Sequence, residues 1–406
     1  MTSQPPAPKV SRQSLFGINA VNFFLAELSG VVGPFLAIYL KQNHWNYAHV
    51  GWALSAGTLG TLLAQTPAGY ICDIVKRRKL LLAFISGCMG ACFAILPLTA
   101  ANVWLTLPIL FLTGVIGAFF APLLASLALG LVGGKGFSEE TGVNQGWNHA
   151  GNIAAALVGL FVVRYIRLGA IFYVTTATSI LAVLSLMLIK SKELNPNLGV
   201  RRRGNPKFFS KVSQYLHDRQ TLAFLLSLLV FHISNAPLLP LVSLYIKKIG
   251  GADEKIAIAV LISQAVMIPI AYLSGKYCDR FGRKPIFAAA YIILPIRIWL
   301  YTTTSNVSTL LIIQALDGLG AGVYGVLISL ICRDLTKGGP GFNLLVGVAQ
   351  TALAIGGLIG PLLQGYLLQY FDFKITFYIL AANALLAALI FLIGFKETKR
   401  PQPGPR

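Results

Sequence analysis

The chain has 406 residues, of which 56% are hydrophobic and 11% charged, with a mean hydropathy of +0.72. About 25% of residues are charged in an average soluble protein, so this chain lacks the charge to cover a water-facing surface and reads as a polytopic membrane protein. Its formal net charge of +20 does not mark a nucleic-acid binder, because the basic residues gather in loops on one side of the apolar runs.

The start, "MTSQPPAPKVSRQ", is polar and Pro-containing and does not read as a secretory signal. Apolar runs then follow at lengths that suit helices crossing a bilayer, which need about 20 residues each. The first half gives spans at 14–40, 47–71, 79–99, 103–131, 142–164 and 168–190. The first span carries Asn19, Asn22, Glu27 and Ser29 on one helical face, with Glu27 near mid-depth. The second runs into "GYICDIVKRRKL" (69–80), where one aspartate precedes four consecutive basic residues. The fifth opens with "NQGWNHAGN" (144–152). Gln145, Asn148, His149 and Asn152 share one face there, and Trp147 lies close enough to stack on a planar ligand. A stretch containing Pro, Gly, Asn and Arg occupies 191–220 and reads as a connector.

The second half gives spans at 221–246, 254–277, 285–302, 307–332, 343–369 and 374–394. The seventh span holds His232 and Asn235, the ninth Arg297 and the tenth Asp317. Both termini and the connector fall on the face richest in Lys and Arg, which the positive-inside rule makes cytoplasmic. Cys72, Cys88, Cys92, Cys278 and Cys332 lie in or beside apolar spans without metal-ligand spacing. They read as small buried residues, and no metal or cofactor is expected.

The charged stretch at the end of the second span returns later as "GKYCDRFGRKPI" (275–286). Gly69, Asp73 and Arg77 become Gly275, Asp279 and Arg283, an offset of 206 residues. The same offset carries "PFLAIYLK" (34–41) onto "PLVSLYIK" (240–247), and Gly151 onto Gly357. A constant shift across several spans indicates a duplicated unit. Both cassettes resemble the signature loop of the major facilitator superfamily, Gly-x-x-x-Asp-x-x-x-Arg. The first lacks the glycine before its basic cluster that the second keeps as Gly282.

The resemblance implies an all-α polytopic membrane protein with twelve transmembrane helices in two six-helix bundles. These are 1–190 and 221–406, joined by a cytoplasmic connector at 191–220 and ending in a short cytoplasmic tail. It implies a gating role for Gly69, Asp73, Arg77, Gly275, Asp279 and Arg283, with Asp73 against the start of helix 11 and Asp279 against the start of helix 5. The spacing of Asp73 and Arg77 lets them pair if the helix continues into the loop.

Ionisable groups at mid-depth cost about 2.5–3.5 kcal/mol on insertion scales, so the few present are the candidates for chemistry. Glu27, His232 and Asp317 are candidates for carrying a coupling proton. Asn22, Gln145, Trp147, Asn148, His149, Asn152 and Asn235 are candidates for substrate contact. Arg297 and Asp317 read as an intramembrane charge pair, which leaves a direct role for Asp317 as the alternative. The glycine runs "DGLGAG" (317–322) and "GGLIGPLLQG" (356–365) lack the Lys-Ser/Thr of a phosphate loop and read as close helix packing.

The expected function is secondary active transport of a small organic solute by alternating access, coupled to protons, by a monomer in the cytoplasmic membrane. Three alternatives stay open: a drug or metabolite efflux antiporter, a siderophore-type permease, and a non-transporting receptor on the same fold. Drug antiporters of the superfamily carry Gly-x-x-x-Gly-Pro on helix 5; here that helix reads "GNIAAALVGLFV", without the proline. No catalytic constellation suggests an enzyme.

Overall fold

The computed structural model describes residues 10–30, 36, 39–40, 42–45, 47–195, 198, 208–251 and 253–399. Fourteen α-helices run through these residues, with no strand among them. In the first half they are α1 (Arg12–Gly30), α2 (Tyr47–Ile74), α3 (Arg78–Thr99), α4 (Val103–Gly117), α5 (Phe120–Tyr165) and α6 (Ala170–Met187). Then come α7 (Phe208–His217), α8 (Arg219–Asn235), α9 (Leu238–Lys248), α10 (Asp253–Phe281), α11 (Arg283–Leu300), α12 (Val307–Leu335), α13 (Phe342–Tyr370) and α14 (Phe373–Gly394). Eight helical stretches among the described residues are long and apolar enough to cross a membrane.

Two spans differ in detail from the sequence expectation. A polar loop is expected between 131 and 142, yet α5 is helical on both sides of one break, Gly133, at φ 66° and ψ −175°. Such a conformation is open to glycine at little cost, so a single residue separates the fourth span from the fifth. The seventh span is divided at Ala236 and Pro237 into α8 and α9, because a proline ring cannot continue the helical hydrogen bonding.

The chain groups into two compact units. Unit 1 comprises residues 1–205 together with 336–347; unit 2 comprises 206–335 and 348–406. Within unit 1, α1 packs on α5 and α6, α2 on α4, and α3 on α6. Within unit 2, α8 packs on α14, α10 on α12, and α11 on both α12 and α14.

Small residues bring these backbones together, since lipid supplies no hydrophobic drive between helices. A Cβ on Gly60 would stand 2.1 Å from the Phe111 carbonyl oxygen, and one on Gly114 would stand 1.9 Å from that of Gly57. The repeat is visible in such contacts. Gly151 of α5 abuts the Phe23 carbonyl in unit 1, and Gly356 of α13 abuts the Leu229 carbonyl in unit 2. Phe23 and Leu229 are 206 residues apart, while Gly151 and Gly356 are 205 apart, a slip of one residue from the repeat. Unit 2 adds an aromatic core in which Phe231 stacks on Tyr324 at 4.4 Å and Tyr291 on Phe391 at 4.6 Å.

Candidate functional site

Four helices of unit 2 converge on Arg297. Its guanidinium, on α11, is 3% exposed and donates through Nη1 to Asp317 Oδ1 of α12 and through Nη2 to Asn235 Oδ1 of α8 at 3.1 Å. The pairing of Arg297 with Asp317 is therefore present, but it is one link in a longer network. Gln314, one turn before Asp317, donates to Asp317 Oδ2 at 3.3 Å and to Ser263 Oγ of α10 at 2.9 Å. Tyr301, one turn after Arg297, donates its hydroxyl to Gln314 Oε1 at 2.6 Å.

A charge removed from water needs a partner and filled hydrogen-bonding positions, and this arrangement provides most of them. Two openings remain. Arg297 Nε is buried without a hydrogen-bond partner, and the Asp317 side chain keeps 20% of its surface exposed. Asp317 thus combines an ionisable carboxylate, a cation that favours its charged form and access from outside the packed core.

The polar candidates of unit 1 line α1 and α5. Asn22 is buried and donates to the Ile18 carbonyl of its own helix at 2.9 Å. Asn148 Oδ1 accepts from Asn152 Nδ2 at 3.4 Å, both half-buried, as is Gln145. His149 is buried. The ring of the half-buried Trp147 packs edge-on against Phe16 at 6.0 Å and Phe23 at 6.2 Å. It helps join α5 to α1. Glu27 falls within α1, but its side chain lies outside the described residues. In unit 2 the His232 ring rests on α13, where a Cβ on Gly357 would meet its Cδ2 at 3.2 Å. His232 Nδ1 is buried with no hydrogen-bond partner.

The cassettes hold their charges in two different ways. Asp73, 1% exposed, accepts from the Asn343 backbone N–H at 3.0 Å, Asn343 Nδ2 at 2.9 Å and the Leu344 N–H at 3.1 Å. The two backbone N–H groups lie in the first turn of α13, where helical bonding leaves them unsatisfied. The residue before that turn is Gly341 (φ 96°), which has no side chain to cap it. Asp73 serves as the cap from another helix, at the positive end of the helix dipole. Gly69 permits the approach: a Cβ there would lie 2.3 Å from the Asn343 carbonyl oxygen.

Arg77 does not pair with Asp73. Arg77 is exposed, and its neighbour Arg78, 4% exposed, takes the buried place. The register slips because the first cassette lacks the turn glycine. Between α10 and α11, Gly282 at φ 93° turns the chain in one residue, and Arg283 starts the next helix. Between α2 and α3 three residues are used, so the first residue of α3 is Arg78.

In the second cassette Arg283 is fully buried and reaches Asp279 at 2.6 Å, Asp334 at 2.9 Å and Cys278 Sγ at 2.7 Å. Asp279 also meets Lys399 at 2.6 Å. The N–H groups of Arg283 and Lys284, which open α11, donate to Glu397, each at 2.9 Å. Gly275 is buried, and its carbonyl accepts from Cys278 Sγ. Sequence reasoning missed Gln314, Tyr301, Asn343 and Glu397. Gln314 and Tyr301 carry a helical-spacing signal, one turn from a named charge; Asn343 and Glu397 carry none.

A helical, glycine-packed chain with charges buried at the crossing of apolar helices has the make-up of a multi-pass membrane protein. The sequence pattern of the Major Facilitator Superfamily matches residues 15–296 and 229–406, and the chain belongs to that superfamily. It is 31% identical over 399 residues to "Uncharacterized MFS-type transporter Rv2456c" of Mycobacterium tuberculosis, covering 96% of this chain and 94% of that one. It is 23% identical to "Multidrug resistance protein MdtG" of Escherichia coli, with 94% of each covered. Among solved structures it matches the superfamily transporter FucP in its outward conformation, with a TM-score of 0.73, 16% identity and coverage of 94% and 98%. The proton:xylose symporter XylE gives a TM-score of 0.70 at 18% identity, with 95% of each chain covered. The twelve-helix plan is that of these proteins.

Proposed function

We propose that the protein is a proton-coupled secondary transporter of a small organic solute, with Asp317 as the group that takes and releases the proton. The observation that carries this reading is the Asp317 carboxylate itself. It is partly exposed and bound to a buried arginine that also holds Asn235 of α8, while Gln314 ties the carboxylate to Ser263 of α10. Protonation of Asp317 releases Arg297 from its counter-charge, and a solute dipole or anion can then compete for the guanidinium. That exchange links proton occupancy to solute occupancy. Coupling to protons is also what the name of XylE states of that relative.

Asn22, Gln145, Asn148, His149 and Asn152 supply neutral hydrogen-bonding groups suited to a polar solute, with Asn235 beside Arg297. Glu27 is the second proton candidate, and the packed ring of His232 ranks third. The two cassettes act as gates: Asp73 caps the start of α13, and Asp279 and Arg283 hold α11. The bundles are assigned to 1–190 and 221–406 with the connector at 191–220. Both termini and the connector lie on the cytoplasmic side of the cytoplasmic membrane, and the transporter works as a monomer.

The test uses inverted membrane vesicles loaded with a pH-sensitive dye and challenged with a panel of sugars, organic acids and cationic dyes. At least one compound is expected to move protons in the wild type, and Asp317→Asn is expected to abolish that movement while the protein stays in the membrane. Proton movement that persists in Asp317→Asn rejects the assignment. The sign of the pH change separates import from export.

A further inference from the structure

Unit 1 has a cavity of about 350 Å³ where α3 begins, lined by Lys76, Arg77, Arg78 and Lys79, with Ser126 of α5 and Ser191. The transport reading makes no use of it. No carboxylate is among its lining residues within the described part of the chain. Arg78 donates through Nε to the Cys72 carbonyl at 3.3 Å and through Nη1 to the Leu198 carbonyl at 2.6 Å. Its Nη2 is buried and has no partner. An unmade hydrogen bond on a buried polar group costs about 1–3 kcal/mol, and more on a charged one, so this atom points to an absent acceptor.

The first turn of α3, Arg78 to Leu80, forms part of the same lining, and its cap residue Arg77 makes no side-chain capping bond. Four basic side chains, an unpartnered guanidinium nitrogen and a helix N-terminus together suit a phosphate group.

The surroundings say which phosphate. One turn further along α3, a groove of about 640 Å³ opens between α3 and α6, lined by Phe84, Gly87, Cys88, Thr176, Ile180 and Leu184. Four residues separate Leu80 from Phe84, which is about 6 Å along a helix. A Cβ on Gly87 would meet nothing within 4 Å. Both depressions thus follow one side of α3, a basic one at its end and an apolar one in its membrane-spanning part. We infer that this side of unit 1 binds an anionic phospholipid, its phosphate among Lys76 to Lys79 and an acyl chain in the groove between α3 and α6.

Native mass spectrometry of the full chain in neutral detergent tests this, titrating dioleoyl phosphatidylglycerol, dioleoyl phosphatidylcholine and sn-glycerol 3-phosphate separately. One phosphatidylglycerol is expected to bind more tightly than phosphatidylcholine. Lys76→Gln with Arg77→Gln, both exposed positions, should weaken it about 30-fold, at about 1 kcal/mol for each charge. Gly87→Leu places a side chain in the groove, raises helix propensity and should weaken the lipid about tenfold. Equal affinity for the two lipids, or no loss in the Lys76/Arg77 variant, overturns the site. Competition by millimolar glycerol phosphate, together with unchanged lipid binding in Gly87→Leu, makes the ligand a soluble phosphate ester and overturns the lipid assignment.

Discussion

Arg297 is buried among its partners, and its variants should show it. Breaking a buried pair by removing one member typically costs about 3–5 kcal/mol, because the other charge stays behind. Arg297→Ala should therefore cut membrane abundance and lower the melting temperature. Arg297→Ala with Asp317→Ala should recover much of the loss, with Asn235 and Gln314 left to bond each other or water. A double variant no more abundant than the single one would show that the two charges do not neutralise each other. The cassette arginines make a second pair of opposites. Arg77→Ala removes an exposed side chain and should shift stability by less than about 0.5 kcal/mol. Arg78→Ala empties a buried position and should be several times more damaging in the same thermal melt. Aligning the two cassettes by their spacing assigns this role to Arg77, since Asp-x-x-x-Arg is intact there. The missing glycine was in plain sight in the sequence, but its effect on the helix start needs the turn geometry to be known.

Helix ends carry the gating chemistry. Asp73→Asn keeps the shape of the cap on α13 but removes its charge. It should reduce transport in the vesicle assay while leaving membrane abundance within about twofold, since caps and dipole charges are worth about 0.5–2 kcal/mol. Unchanged transport in Asp73→Asn with Asp279→Asn would remove the cassettes from the mechanism. At the start of α11, Gly282→Ala faces both a φ of 93° and a Glu397 oxygen 2.4 Å from the new Cβ, so a lowered melting temperature is expected.

A third helix end responds to pH. Ser11, before α1, donates to Glu193 through its N–H at 3.1 Å and its hydroxyl at 2.9 Å. The Ser14 hydroxyl, followed by these Ser11 bonds and the nearby Lys190, holds the Glu193 carboxyl below its usual range. The folded-state pKa is depressed, so the stabilisation is full above the ordinary glutamate value of about 4.3. It is lost as pH falls through the lower folded value. Glu193→Gln should melt below the wild type at neutral pH, and the gap should close in acid. None of these end contacts was legible beforehand, apart from the meeting of Asp73 with helix 11 that the family resemblance implied. They join residues more than a hundred positions apart, for which local spacing holds no record.

For the molecule as a whole, bilayer thickness and apolar run length were enough to read the spans, because lipid leaves helices as the way to satisfy backbone groups here. What spacing could not reveal was which polar face turns toward which neighbour. Trp147 was read as able to stack on a planar ligand and packs on Phe16 and Phe23; Arg297 was read as one partner of a pair and also holds Asn235. The test at this scale is net transport in proteoliposomes under an imposed proton gradient. Asp317→Asn should lose uphill accumulation of the active solute and keep exchange of labelled for unlabelled solute, which needs no net proton release. If Asp317→Asn still concentrates solute, and Glu27→Gln does not, the proton site moves to α1.

The bond between Asp73 and Asn343 spans 270 residues of sequence. At a synthesis rate of about 5–20 residues per second, the carboxylate is made roughly 15–55 s before the helix it caps. Through that interval the nascent first unit holds the Asp73 carboxylate without the N–H groups that later bind it, and Gly69 without the backbone that later packs on it. Any chain stopped short of residue 343 keeps that fault permanently. Premature termination between the connector and residue 343 should therefore yield a first half marked for degradation, and co-expressing a fragment that carries residues 336–347 should protect it.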